Sequence, residues 1–373
     1  MKRLIALLLV ICAVLACGCA PAQDATVPTT EPVLTDPPTD PPTDPPTEPP
    51  TEPPTEPPVL YRNPLNGEPL DEPYMSRPFT VTISNDVPPH GISQPDILYE
   101  ALTNDGETRF MGVFSDIASV SELGTIRSAR HHFVSLALSY DAIFVHYGKS
   151  DIPGHPEIGA QQYMKQTGIN HMDGTSNGYA YFFNKTKRDG KTYAAWQSHF
   201  LKGQKAIDYA NKKKWKLSYD EEVDFGLLFD DEKVIVGTDN KSININFKSK
   251  EYYSYISTKM EYDAESNQYL AVKKKSAYKD AAIGEQLAFR NVLVLRAPTK
   301  NFKYNKIDYA QIDLEGTGTG YFACNGQMVP ILWSREKTSD HFTYTLEDGT
   351  PLTFGVGKTY IAIVPKGATI TFE

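Results

Sequence analysis

Arg127, Ser128, Arg130, His146, Lys149 and Ser150 crowd into one stretch, LGTIRSARHHFVSLALSYDAIFVHYGKSD, from Leu123 to Asp151. Two guanidinium groups close in sequence can clamp a carboxylate or a phosphate, bidentately where geometry permits, and the lysine, serines and imidazole add donors around it. These six residues are therefore the expected ligand-binding set, and the ligand they imply is an anion. A second reading stays open at this level. Arg127 and Arg130 could be braced by acids such as Glu100, Asp105 or Glu107, because structural ion-pair networks look the same in sequence.

Catalytic patterns are weaker. Ser128 with His146 would make a nucleophile and base for a hydrolase or transferase acting on wall material, but there is no Gly-x-Ser-x-Gly elbow and no His-Glu-x-x-His. Glu100 with Glu107 could serve glycosidic cleavage, yet any chain of this length offers such pairs. His146, His155, His171 and Asp173 are of zinc-ligand type without zinc-ligand spacing, so no metal and no cofactor is expected. Cys324, beside Phe322 and Ala323, reads as a buried inert thiol. No catalytic residue is assigned, and binding is preferred to catalysis.

The elements that must position these groups follow from periodicity. Phe133, Leu136, Ala137 and Tyr140 recur at helical spacing, which predicts a helix from about Ser128, its N-cap, to Tyr140. The apolar runs 108–115 and 142–148 read as strands buried on both faces. A right-handed crossover from the first strand through the helix to the second would bring the helix start and the loop after the second strand to one carboxyl edge of a sheet. That edge would gather Arg127, Ser128, Arg130, His131, His146, Lys149 and Ser150.

The chain has 373 residues, and its ends are not part of the core. Lys2 and Arg3, an apolar run to Leu15, then Ala16, Cys17, Gly18 and Cys19 read as a lipoprotein signal peptide over 1–19. Cys17 and Cys19 are the candidate lipidation sites, with Val14 favouring Cys17 and the choice between them open. A diacylglyceryl cysteine with palmitate-type chains anchors a protein stably at the extracytoplasmic face of the cell membrane. Residues 20–60 repeat an acidic Pro-Pro-Thr unit, a disordered spacer that favours extended polyproline II. The net charge is −9; setting aside the +2 of Lys2 and Arg3 and the −8 of the 20–60 tract leaves −3 for the body. No basic field for nucleic acid is present. The expected partners are the membrane, through the lipid, and an anionic cell-wall ligand or an envelope protein.

From Lys233 the texture changes to short runs of β-branched and aromatic residues separated by turn signals such as Asn325-Gly326 and Asp348-Gly349. A helix over Ala277 to Ala288 is the one expected interruption. Earlier segments predict helices near Pro156 to Thr167 and over Ser198 to Lys214. Tyr252, Tyr253 and Tyr255 are dense enough for glycan stacking, though strand packing is the weightier account. The fold class is thus an α/β (or α+β) N-terminal domain with a mixed sheet over 61–230, followed by a mainly-β domain over 231–373.

The order RPFTVTISND, QPDILYEAL, GETRFMGVFSD, GTIRSARHHF, YDAIFVHYGKSD resembles the YerB-like bacterial lipoproteins, a family with a domain of unknown function. Its paired signatures, Arg-Ser-Ala-Arg at a helix start and Val-His-x-Gly-x-Ser at a strand end, are matched by Arg127 to Arg130 and by Val145 to Ser150. The resemblance runs from about Asn63 to the C-terminus and implies an envelope lipoprotein without implying a reaction. One region departs. Where the family usually has an aromatic-Arg-Asp stretch and then a His-Asn or His-Ser pair, this chain has Phe183-Asn184-Lys185 and Ser198-His199. Three functions are carried forward: binding of an anionic wall component or envelope partner, the Ser128/His146 hydrolase, and a purely structural docking lipoprotein.

Overall fold

TYIAIVP, near the C-terminus, is β-branched and apolar with no charge, the composition of a strand covered on both faces. In the computed structural model, which describes residues 61–176, 178–233, 237–250 and 252–373, this segment is buried at every position and lies at the middle of the sheet. Cys17, Cys19 and the spacer lie outside the described residues. Among those described, no helix is long and apolar enough to cross a membrane.

Twelve elements define the framework: β1 (Phe79–Ser84), β2 (Ile97–Leu102), β3 (Thr108–Phe114), α1 (His131–Leu138), β4 (Ile143–His146), α2 (Ala160–Thr167), β5 (His171–Asp173), α3 (Gly203–Lys212), β6 (Asn291–Ala297), β7 (Gly316–Cys324), β8 (Gln327–Arg335) and β9 (Thr359–Pro365). The eleven-stranded mixed sheet runs β8-β7-β6-β9-β2-β3-β1-β4-β5, with Thr238–Asp239 and Thr343–Thr345 flanking β8. β9 pairs parallel with β6 on one side and β2 on the other, so strands from before and after residue 230 share one ladder. A second, six-stranded sheet is built from Ser242–Asn246, Ser257–Asp263, Gln268–Lys273, Ile370–Phe372 and two short strands. An α/β first half followed by a β-rich second half is the observed organisation.

Alternation along β2 shows how the layers are tied. Tyr99 and Glu100 point to opposite faces, as successive strand residues must. The Tyr99 hydroxyl meets that of Tyr140, just beyond α1, at 2.7 Å. Glu100 is fully buried on the other face, where Oε1 accepts from Asn85 (2.8 Å) and Thr108 (2.7 Å) and Oε2 from Thr258 (2.9 Å) and Tyr360 (2.6 Å). Those donors come from the loop after β1, from β3, from the second sheet and from β9. A Glu100→Ala change leaves four buried donors without their acceptor and is expected to cost about 3 kcal/mol; a urea midpoint that falls at constant m-value is the check.

Four local expectations are corrected. α1 begins at His131 and not Ser128, with Arg130 in extended conformation as its N-cap, because residues 127–129 pair with the chain after β4: the Ala129 N–H bonds Gly148 and the Ser150 N–H bonds Ala129. β4 pairs parallel with β1 and β5, and β1 separates it from β3 and runs antiparallel to β3, so β3, α1 and β4 do not form a parallel crossover. Residues 277–288 hold turns and short strands and no helix, since Lys279 bridges Gln286 and the Ala271 N–H bonds Leu287. The helix expected over 198–214 is shortened for a similar reason: His199–Leu201 is a strand and α3 starts at Gly203.

A candidate anion site at the carboxyl edge

The carboxyl ends of β1, β4 and β5 and the start of the antiparallel β3 lie at the same edge of the sheet. Arg109, the second residue of β3, is buried there, its Nη1 donating to the Ser128 carbonyl at 3.0 Å. Arg130, also buried, donates from Nη1 to the Ala129 carbonyl (2.8 Å) and, at 3.5 Å, to the same Ser128 oxygen, and from Nη2 to Asn104 Oδ1 (2.6 Å). Arg127 reaches the Trp196 carbonyl at 3.1 Å, with its guanidinium 4.4 Å from the Trp196 ring centre.

Among the described residues none of these three arginines forms an ion pair with a carboxylate. Glu100 is saturated elsewhere, and Glu107, with Asp86 at Arg109, acts on the buried arginines only at longer range. Burial pushes the Arg130 pKa down to about 10, with Arg127 adding to the push. Burial, then Arg130 and Arg127, drive Arg109 well below its usual value. Arg130 Nε and both ring nitrogens of the fully buried His132 have no hydrogen-bond partner among the described residues. His132 feels Arg130 and Arg109 as neighbouring charges, and burial drives its pKa down. Like charges gathered in a low-dielectric site without a counterion in contact repel, and an anion would reverse that.

The other predicted residues form a second cluster. The Gly148 carbonyl can only accept, so His146 Nδ1, 2.8 Å away, carries the proton and Nε2 bears the lone pair. His171 Nδ1 then donates to His146 Nε2 at 3.0 Å, leaving His171 Nε2 as an acceptor in a residue that lines a cavity of about 250 Å3 with Tyr209, Lys213 and Trp215. Asp173, at the end of β5, accepts from Lys149 Nζ (2.6 Å), the Gly148 N–H (3.0 Å) and Thr175. Burial would raise its pKa, but His146 and the Lys149 and Thr175 bonds hold it well below the usual carboxylate range.

Arg127, Ser128 and Arg130 are thus brought together, and His146 and Lys149 are brought together beside them. Ser128 Oγ donates to the Tyr147 carbonyl at 3.1 Å, and both nitrogens of His146 are engaged elsewhere, so the two do not pair. Ser150 is buried and its Oγ accepts the Ala160 N–H at 2.9 Å, opening α2. The His155 ring is bonded to Glu157, away from His146 and His171. Among the described residues no group of three or more metal-ligating side chains is assembled.

Arg109 was missed by the sequence reading, although a charge inside an otherwise apolar strand was a signal. The departing region supplies the edge's outer wall. His199 Nδ1 donates to Asn184 Oδ1 at 2.8 Å across paired strands, and its ring stacks on Tyr147 with centres 3.5 Å apart. Trp196, which caps Arg127, is 52% exposed and carried no periodic signal.

The fold and these signatures define the class. The N-terminal domain described as "Protein of unknown function (DUF3048)" matches residues 65–216 and the C-terminal domain of the same description matches residues 243–361, and the chain belongs to this family, that of the YerB-like proteins. Its similarity to "Putative lipoprotein YerB" of Bacillus subtilis (strain 168) is 26% identity over 303 residues, covering 78% of this chain and 81% of the relative. The crystal structure of the Bacillus subtilis YerB protein superposes with a TM-score of 0.67 at 23% identity, covering 83% of this chain and 99% of that one, which places the two in one fold.

Proposed function

We propose that this protein is a lipid-anchored component of the cell envelope that binds an anionic ligand, a wall phosphate or a carboxylate-bearing wall peptide, at the carboxyl edge of β1, β4 and β5. Arg109 and Arg130, meeting at the Ser128 carbonyl without a carboxylate partner among the described residues, and Arg127, whose charge both of them feel, carry the reading. The anchor rests on the signal-like residues ending at Cys17 or Cys19 and on the lipoprotein name of the relative. Binding is favoured over hydrolysis because Ser128 and His146 each hold other partners.

The test is calorimetry and thermal unfolding of the full chain with inorganic phosphate and with muropeptide fragments, beside an Arg127→Ala/Arg130→Ala variant. Ligand-dependent stabilisation in the parent that disappears in a still-folded variant supports the site; no response to either ligand class sinks it. Ser128→Ala is expected to bind within about twofold of the parent, because its carbonyl and not its hydroxyl meets the arginines. A hydroxyl-dependent loss of tenfold or more would point back to nucleophilic chemistry.

A further inference from the structure

A cavity of about 640 Å3 lies on the opposite face of β2 and β3 from the arginines, between them and the second sheet. Cavities of ~300–1,000 Å3 are those that hold small ligands. Its polar floor is ordered in advance. Asn85 Nδ2 donates to Glu100 at 2.8 Å and to Thr108 Oγ1 at 2.6 Å; Lys273 Nζ donates to the Asn85 carbonyl at 2.7 Å; the Tyr278 hydroxyl donates to Asn85 Oδ1 at 3.0 Å. Buried Glu100 holds this set together, and burial lowers the Lys273 pKa while Glu100 opposes the fall.

The rim selects against ions. Asp86 and Glu107 line it together with Lys274 and Lys279, two charges of each sign, so neither sign dominates. A wholly apolar ligand fits no better, since Asp86, Glu107, Lys274 and Lys279 would lose water without compensation. Val87, Ile256 and Ala277 nevertheless give apolar walls, and Tyr255 lines the cavity while 62% exposed. A pyranose ring answers all of this: one apolar face for an aromatic side chain and a girdle of hydroxyls that both donate and accept. We propose that this cavity is a saccharide site that takes an uncharged sugar, stacked on Tyr255 and hydrogen-bonded by Asp86, Glu107 and the remaining proton of Lys273. It stands apart from the anion reading, resting on different residues.

Isothermal titration of the full chain with tri-N-acetylchitotriose and with maltotriose is the test. At least one trisaccharide is expected to bind with unit stoichiometry. Tyr255→Ala should weaken binding about tenfold, and Ala277→Trp, which fills the cavity from an exposed position, should abolish it with circular dichroism unchanged. Arg127→Ala should bind the sugar as the parent does. The proposal is overturned if the parent takes up neither trisaccharide, or if both cavity variants bind like the parent. Loss of sugar binding in Arg127→Ala with retention in Tyr255→Ala would move the ring to the arginine edge and equally refute it.

Discussion

Between pH 6.5 and about 4 the folded body should lose roughly 3 kcal/mol of stability for each of His131 and His146. Burial lowers the pKa of both from 6.5 to about 4. The sign follows from proton counting. Above 6.5 neither the folded nor the unfolded chain protonates these rings, and they add nothing to the pH dependence. Below it the unfolded chain takes up protons that the native state refuses, so acid draws the equilibrium toward unfolding until the folded value is reached. Burial lowers His132, His171 and His199 as well, which steepens the same slope. Asp173, held low, loses its stabilising charge only at still more acid pH. Urea unfolding at pH 7.5, 6.0 and 5.0 measures this. A His131→Gln or His146→Gln chain should show a slope shallower by about 1.4 kcal/mol per pH unit, and an unchanged slope would mean that the ring is hydrated or paired.

Arg109→Met should raise the stability of the ligand-free chain and erase its response to phosphate. Arg109 is buried, with one carbonyl bond, two like-charged neighbours and, among the described residues, no carboxylate in ion-pair contact, Glu107 and Asp86 acting on it only at longer range. Replacing a buried charge by an apolar side chain of similar length is often stabilising by about 1–4 kcal/mol. At this size a gain of 1 kcal/mol moves the midpoint by about 2 °C. The parent should instead gain about 2.7 kcal/mol from phosphate at a hundred times its Kd. Thermal unfolding of both chains with and without phosphate separates the outcomes. A less stable Arg109→Met chain would show that the guanidinium braces β3 against Ser128, and the anion reading would lose its central residue.

The strands were legible because buried strands carry their burial in their own sequence: TRFMGVF, AIFVHYG and TYIAIVP need no context to be read. Pairing was not legible in the same way. Nothing local in TVTIS tells it to lie between β3 and β4, and that single insertion turned an expected crossover into an antiparallel arrangement with the same edge. The start of α1 was misread because Ser128 has N-cap chemistry, while a backbone bond from Ala129 to Gly148, 19 residues away, keeps residues 127–129 extended. Arg127 and Arg130 were found because two arginines three apart are conspicuous. Arg109 was passed over as part of a strand, and the tie of Lys149 to Asp173 depends on β5 lying beside β4, which only the fold supplies.

β9 meets β2 across a long stretch of sequence, Tyr360 reaching Glu100 at a separation of 260 residues, and β6 bonds to it as well. Until β9 joins, β2 has an open ladder edge and Glu100 lacks the Tyr360 hydroxyl. Such long sequence separation between partners slows folding. A sheet that cannot close until β9 joins it leaves the strands before it unlocked, and β9 acts as the latch that ends that state.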